Sequence, residues 1–125
     1  MILIDSCGWI EYFGEGPLAD QYAAVIEKTD KDEMVTPTIV LYEVYKKIKC
    51  TRGEEKALEA YAQISLTRII ALTSSLSVKA ADISIKNGIA MADSIVVATA
   101  NDCGAQILTS DKHFKTINGV KFISK

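Results

Sequence analysis

Histidine occurs once in the 125 residues, at His113, and cysteine three times, at Cys7, Cys50 and Cys103. An odd cysteine set without paired spacing argues against a disulfide framework or a zinc knuckle, and a reduced, cytoplasmic setting is the simpler expectation. No apolar run reaches the ~18 residues that a membrane span requires. The opening Met1-Ile2-Leu3-Ile4-Asp5 has no basic start and meets an acid at its fifth residue, so it does not read as a signal peptide. Positive charge is also scarce: 14 Lys+Arg stand against 16 Asp+Glu, for a net charge of −2. That balance excludes a strongly basic, charge-driven nucleic-acid binder. It leaves room for a nucleic-acid enzyme whose positive charge arrives as metal ions. A glycine-rich phosphate loop, a nucleophile elbow and a Cys/His pair are all missing, which disfavours a nucleoside triphosphatase or a covalent hydrolase.

What is present is a globular balance, 49% apolar and 24% charged, over a length that fits one domain, residues 1–125. Short aliphatic runs alternate with helical patterns. Ile2-Leu3-Ile4, Met34-Val35-Thr36, Ile69-Ile70-Ala71-Leu72, Ala105-Gln106-Ile107-Leu108 and Val120-Lys121-Phe122-Ile123 read as strands. Between them, Ser6 to Tyr12 can form a turn of helix, and a helix opened by Pro17 runs to about Lys28 with Leu18, Tyr22, Val25 and Ile26 on one face. A third helix starts at Thr38, with Val40, Val44 and Ile48 recurring every four residues. Glu54 to Ile64 is a fourth, with Leu58, Tyr61, Ala62 and Ile64 facing inward. Ser74 or Ser75 is placed to cap a fifth, whose inward set is Val78, Ala81 and Ile85, and Asn87-Gly88 closes it in the manner of a left-handed cap. Ala90 to Ala100 is apolar almost all round and is expected to be deeply buried. Strands separated by helices predict an α/β fold with a mainly parallel central sheet flanked by helices.

Four acids sit where acids are expensive. Asp5 follows the first aliphatic run, and Asp111 follows Ile107-Leu108-Thr109-Ser110; Glu43 lies within Thr38 to Tyr45 and Asp93 within Ala90 to Val97. An ionised carboxylate near apolar surroundings is costly unless paired or bound to a metal. Asp5 and Asp111 fall just past the C-terminal ends of strands, the edge where open α/β sheets form ligand sites, and Glu43 and Asp93 lie early enough in their helices to reach it. Four carboxylates in one pocket repel one another, and a divalent cation removes that conflict. Oxygen ligands suit Mg²⁺ or Mn²⁺ rather than zinc. Each acid also has a plainer reading. Asp5 and Asp111 can cap the turns that follow them, Glu43 can pair with Lys47 on an exposed helix face, and Asp93 can complement a helix dipole.

Other features carry less. Lys46, Lys47, Lys49 and Arg52 read as a solvated helix end before a phosphate-binding patch. Lys112, His113 and Lys115 are close enough to Asp111 to touch the same substrate, with a surface histidine the simpler reading of His113. Trp9, Tyr12 and Phe13 fall at helical spacing and read as core or interface rather than as a base-stacking platform. Ser6, Ser94, Thr109 and Ser110 adjoin the acids as hydrogen-bond partners or as caps.

In this order and spacing the chain resembles a PIN-domain nuclease, and most closely a VapC-type toxin of a toxin–antitoxin pair. The resemblance is carried by Ile2-Leu3-Ile4-Asp5-Ser6 with Trp9-Ile10, by Thr38-Ile39-Val40-Leu41-Tyr42-Glu43, by Ala92-Asp93-Ser94-Ile95-Val96-Val97-Ala98-Thr99-Ala100, and by Leu108-Thr109-Ser110-Asp111-Lys112-His113-Phe114. It spans nearly the whole chain. In one place the chain departs from the family, many of whose members carry a further acid where His113 stands.

The resemblance implies a compact PIN-like domain with a Mg²⁺ or Mn²⁺ pocket and endoribonuclease activity. It also implies a homodimer, and inhibition by a small antitoxin whose C-terminal segment blocks the site. The mechanism expected is metal-assisted hydrolysis of an RNA phosphodiester. Asp5 and Asp93 would be the principal metal ligands. Glu43 would bind metal directly or through water and orient or deprotonate the attacking water, and Asp111 would complete the pocket. The competing readings are a housekeeping PIN ribonuclease and a catalytically idle PIN-like binding module. A haloacid-dehalogenase type of phosphatase needs Asp-x-Asp at the first strand end, where the chain has Cys7.

Overall fold

The computed structural model describes residues 1–124. Five strands form one sheet: β1 (Ile2–Ile4), β2 (Met34–Pro37), β3 (Arg68–Ile70), β4 (Gln106–Thr109) and β5 (Val120–Phe122). The order across the sheet is β3-β2-β1-β4-β5 and every pair is parallel, as the alternation of strands and helices predicts. Six helices cover it: α1 (Ser6–Gly14), α2 (Ala19–Ile26), α3 (Thr38–Arg52), α4 (Glu54–Ile64), α5 (Ser74–Asn87) and α6 (Met91–Cys103). Short 3-10 turns follow at Lys31–Glu33 and Lys112–Phe114.

The central strand β1 is flanked on both sides, with Leu3 opposite Val35 on β2 and opposite Ile107 on β4. Leu3, Ile4, Val35, Ile107 and Leu108 are accordingly buried, as expected of strands covered on both faces. The chain builds β2 and β3 to one side of β1, then returns to place β4 and β5 on the other. That reversal between β1 and β4 makes a topological switch point, and the crevice beyond the strand ends there is where doubly wound sheets bind ligands.

Several local expectations are corrected. The inward face of α4 is Ala57, Ala60 and Ile64, while Leu58, Tyr61 and Ala62 are exposed. On α5 the buried residues are Leu76 and Ala80, while Val78, Ala81 and Ile85 face outward, Ile85 with 82% of its surface open. In both helices alanines permit close approach to the neighbouring helix, and larger apolar side chains are left outside. The α5 cap is Thr73, whose hydroxyl accepts the Leu76 N–H at 3.1 Å, rather than Ser74 or Ser75. β2 extends one residue past Thr36 to Pro37, which pairs opposite Ile70 and leads directly into α3. The Gly88 cap is left-handed as predicted, with φ 66°. The expectation for α6 also holds from Ser94 to Ala100, all buried.

One close approach depends on a glycine. Gly8 on α1 faces the Tyr22 ring of α2, and a Cβ there would lie 2.5 Å from that ring and 2.7 Å from the Ile4 side chain. Tyr22 is fully buried. Its hydroxyl is thereby carried beneath the end of β4. Among the described residues no single helix is long and apolar enough to cross a membrane.

Candidate active site

The switch point gathers the acids singled out in the sequence. Asp5 leaves β1 at the N-cap position of α1, yet its side chain makes no cap hydrogen bond to that helix, so the plain capping reading fails for it. Its backbone N–H donates to Leu108 O at 3.1 Å, tying the end of β1 to β4. The carboxylate is only 4% exposed. Its Oδ2 accepts the Thr109 hydroxyl at 3.0 Å and the Cys7 thiol at 3.6 Å. Burial pushes the Asp5 carboxyl above the usual carboxylate range despite these hydrogen bonds, and repulsion from Asp93 adds to the rise.

Glu43 projects from the second turn of α3. Burial raises its pKa first, then repulsion from Asp5, Asp93 and Asp111, while the nearby Ser6 side chain offsets part of the rise. Those neighbours make it a wall of the acid pocket; an exposed Glu43–Lys47 pair is not formed among the described residues. Asp93 lies in the first turn of α6, where the dipole favours an acid. Its carboxyl too is raised, by burial and then by repulsion from Asp111, with His113 acting in the opposite direction. Glu43 thus feels the other three acids, Asp5 feels Asp93, and Asp93 feels Asp111.

Asp111 serves two purposes. It caps the 3-10 turn, with Oδ1 accepting the His113 backbone N–H at 2.9 Å, so the capping reading holds for this acid. The same oxygen lies 3.0 Å from His113 Nδ1, and that nitrogen lies 3.8 Å from Asp93 Oδ2. Single ligand atoms from Asp93, Asp111 and His113 all fall within 4.8 Å of one another. The pocket thus offers hard carboxylate oxygens in a partly desolvated, self-repelling arrangement. Such a donor set fits Mg²⁺ or Mn²⁺, whose charge would offset the repulsion.

Beneath the acids runs a polar network that was only partly legible in the sequence. Tyr22 donates its hydroxyl to Ser110 Oγ at 3.1 Å, Ser110 reaches Cys7 Sγ at 3.5 Å, and Cys7 lies 3.3 Å from Thr109 Oγ1. Thr109 and Ser110 were expected beside the acids. Cys7 and Tyr22 were not: a cysteine in a first helical turn and a tyrosine at core spacing carry no signal that distinguishes them from packing residues. Ser94 turns away, donating to Met91 O within its own helix at 2.7 Å.

The remaining polar and aromatic features resolve as structure. Trp9 is buried and stacks on Phe13 at 5.7 Å, part of the core as expected. Lys49 pairs with Glu54 at 3.4 Å and Arg52 donates to Gly14 O at 2.8 Å, which leaves the basic end of α3 as a solvated helix end.

A parallel sheet with carboxylates converging at its switch point defines an α/β protein built around an acidic pocket. The PIN domain family model matches residues 2–120, and the chain belongs to that family. Among solved structures, VapC20 from Mycobacterium tuberculosis, a sarcin–ricin loop cleaving toxin, superposes with a TM-score of 0.83 at 17% identity, covering 99% of this chain and 100% of that one. A toxin–antitoxin complex from Klebsiella pneumoniae gives a TM-score of 0.80 at 22% identity, over 97% of this chain and 96% of that one. VapBC2 from Rickettsia felis, bound to a DNA fragment from its promoter, gives 0.75 at 18% identity, over 98% of each chain. At these identities the likeness is one of fold. A comparison with curated proteins finds no match.

Proposed function

We propose that this chain is a metal-dependent endoribonuclease and the toxin of a toxin–antitoxin pair. The observation that carries the reading is the convergence of Asp5, Glu43, Asp93 and Asp111 on the switch-point crevice, three of them with raised carboxyl pKa values. A binding module has no evident reason to bear that cost. Membership of the PIN family, and the toxin and toxin–antitoxin neighbours that share its fold, support the same reading.

Asp5 and Asp93 are the principal ligands for Mg²⁺ or Mn²⁺, with Asp111 completing the set. The bound ion supplies Lewis acidity toward the phosphate and lowers the pKa of water. Glu43 orients the attacking water and accepts its proton, a role suited by a carboxylate among the other three acids. Thr109 and Cys7 hold Asp5 Oδ2. Lys112 lies next to Asp111 and is placed to meet the substrate backbone. The setting we propose is the cytoplasm, where RNA is present and the free thiols stay reduced.

Two apolar grooves outside the acid pocket suit the two protein partners. One, of about 610 Å³, lies between α3 and α4 and is lined by Leu41, Tyr45, Leu58 and Tyr61 with Lys46 and Lys49 at its rim. Its charge suits an apolar antitoxin segment that carries acids. The other, of about 420 Å³, lies between α5 and α6 and is lined by Leu72, Ala81, Ile85 and Met91 without a charged side chain. A neutral apolar face of that kind suits a second copy of the chain in a homodimer.

The test is cleavage of a mixed tRNA and rRNA pool by purified protein with Mg²⁺, Mn²⁺ or EDTA, beside Asp5→Asn and Asp93→Asn. Discrete cuts that need metal and vanish in both variants are expected. Cuts that persist in both variants would exclude this site as their source.

A further inference from the structure

We propose that His113 supplies a nitrogen ligand to the ion held by Asp5, Asp93 and Asp111, so that the pocket takes Mn²⁺ in preference to Mg²⁺. The inference rests on the metal-dependent reading above. It starts from the local fold of the 3-10 turn. The neighbouring Phe114 is fully buried and anchors that turn, and the His113 N–H is held by Asp111 Oδ1 at 2.9 Å. With both ends fixed, the imidazole turns back over the acids although its side chain is 76% exposed. That direction is set by the contacts with Asp111 and Asp93 rather than by packing against the core.

The three donors lie close enough together to share one ion. Nδ1 stands 3.0 Å from Asp111 Oδ1 and 3.8 Å from Asp93 Oδ2, and the three donors share a sphere in which no pair exceeds 4.8 Å. Around an octahedral ion with bonds of about 2.1 Å, adjacent donors lie roughly 3 Å apart and opposite ones roughly 4.2 Å. The chemistry of the donors then decides which ion the shared set prefers. Asp5, Asp93 and Asp111 offer only oxygen, which Mg²⁺ prefers. His113 adds an imidazole, and an imidazole nitrogen favours first-row transition ions over Mg²⁺.

Because His113 is the one histidine in the chain, any imidazole signal on a bound ion can have a single source. The experiment loads the full-length, tag-free protein with Mn²⁺ and records electron spin-echo modulation from ¹⁴N. The wild type is expected to give the imidazole pattern, and His113→Ala and His113→Asp to lose it while keeping their circular dichroism spectra. Calorimetric titration with Mn²⁺ and Mg²⁺ should show the Mn²⁺ preference falling by roughly tenfold in His113→Ala. In His113→Asp, an all-oxygen set, Mg²⁺ affinity should rise relative to His113→Ala. Mn²⁺ that binds the wild type without nitrogen modulation would overturn the role of His113 and leave the nuclease reading standing. Failure of the folded wild type to bind Mn²⁺ at all would overturn both.

Discussion

Thr109 donates its hydroxyl to Asp5 Oδ2 at 3.0 Å across 104 positions of sequence. The same hydroxyl oxygen accepts the Asp111 N–H at 3.0 Å. One side chain on β4 therefore sets the direction of the buried acid from β1 and the start of the loop that carries the fourth acid. Thr109→Val keeps the shape and removes both bonds. We expect it to fold and to lose roughly tenfold in Mn²⁺ affinity, as measured by calorimetry. Unchanged affinity would show that Asp5 needs no such support.

The acid pocket makes the metal-free protein sensitive to pH in a definite direction. Asp5, Glu43 and Asp93 have pKa values raised above those of the unfolded chain, so between the two values the folded state holds more protons. Stability then falls as pH rises through that window and recovers on acidification. In EDTA at neutral pH, Asp5→Asn should be more stable than wild type in urea melts. The difference should shrink as the wild-type carboxyl is protonated below the raised pKa. An Asp5→Asn protein less stable than wild type at neutral pH would contradict this.

Added metal should reverse that order. An ion bound only by the folded wild type stabilises it by about 2.7 kcal/mol at a hundredfold excess over Kd, and Asp5→Asn should gain far less. Thermal melts at neutral pH with and without Mn²⁺ measure both shifts. Equal shifts in the two proteins would remove Asp5 from the ligand set.

Gly8 can be tested independently of the chemistry. The Tyr22 ring and Ile4 leave no room for a Cβ, and both are buried, so Gly8→Ala must displace packed side chains. The expected cost is about 1–3 kcal/mol in urea melts. Tyr22 would move with its hydroxyl, so metal affinity should fall as well.

The groove between α5 and α6 gives a test of assembly. Ile85→Glu places a charge on its exposed apolar face and should shift the protein from dimer to monomer in sedimentation. Leu58→Glu, on α4, should leave the dimer intact. A wild type that sediments as a monomer would end the homodimer proposal.

The sheet and the acids were legible for the same reason. Runs such as Ile2-Leu3-Ile4 and Ile107-Leu108 are apolar because they are covered on both faces, and an acid directly after such a run stands out. The faces of α4 and α5 were misread because apolarity alone does not distinguish a buried face from an exposed one. Leu58, Tyr61, Val78 and Ile85 look like core residues and are exposed, while Ala57, Ala60 and Ala80 do the packing. Nor does a single sequence carry strand order, since the pairing of β1 with β4 joins segments a hundred residues apart. The role of Tyr22 was invisible because its buried ring and its hydroxyl serve two purposes at one position.

The central place of β1 has a bearing on which motions the protein can tolerate. Fraying of β5 or β3, each held by one neighbour, leaves the hydrogen bonds of β1 intact. Releasing Asp5 requires opening the strand bound on both sides, an excursion close to global unfolding, so the amides of Ile4 and Asp5 should be among the slowest to exchange with solvent. Glu43, Asp93 and Asp111 are carried instead by α3, α6 and the loop after β4, outside the sheet. Asp5 is thus the wall of the pocket held most firmly, so a ligand has to be accommodated to it rather than it to the ligand.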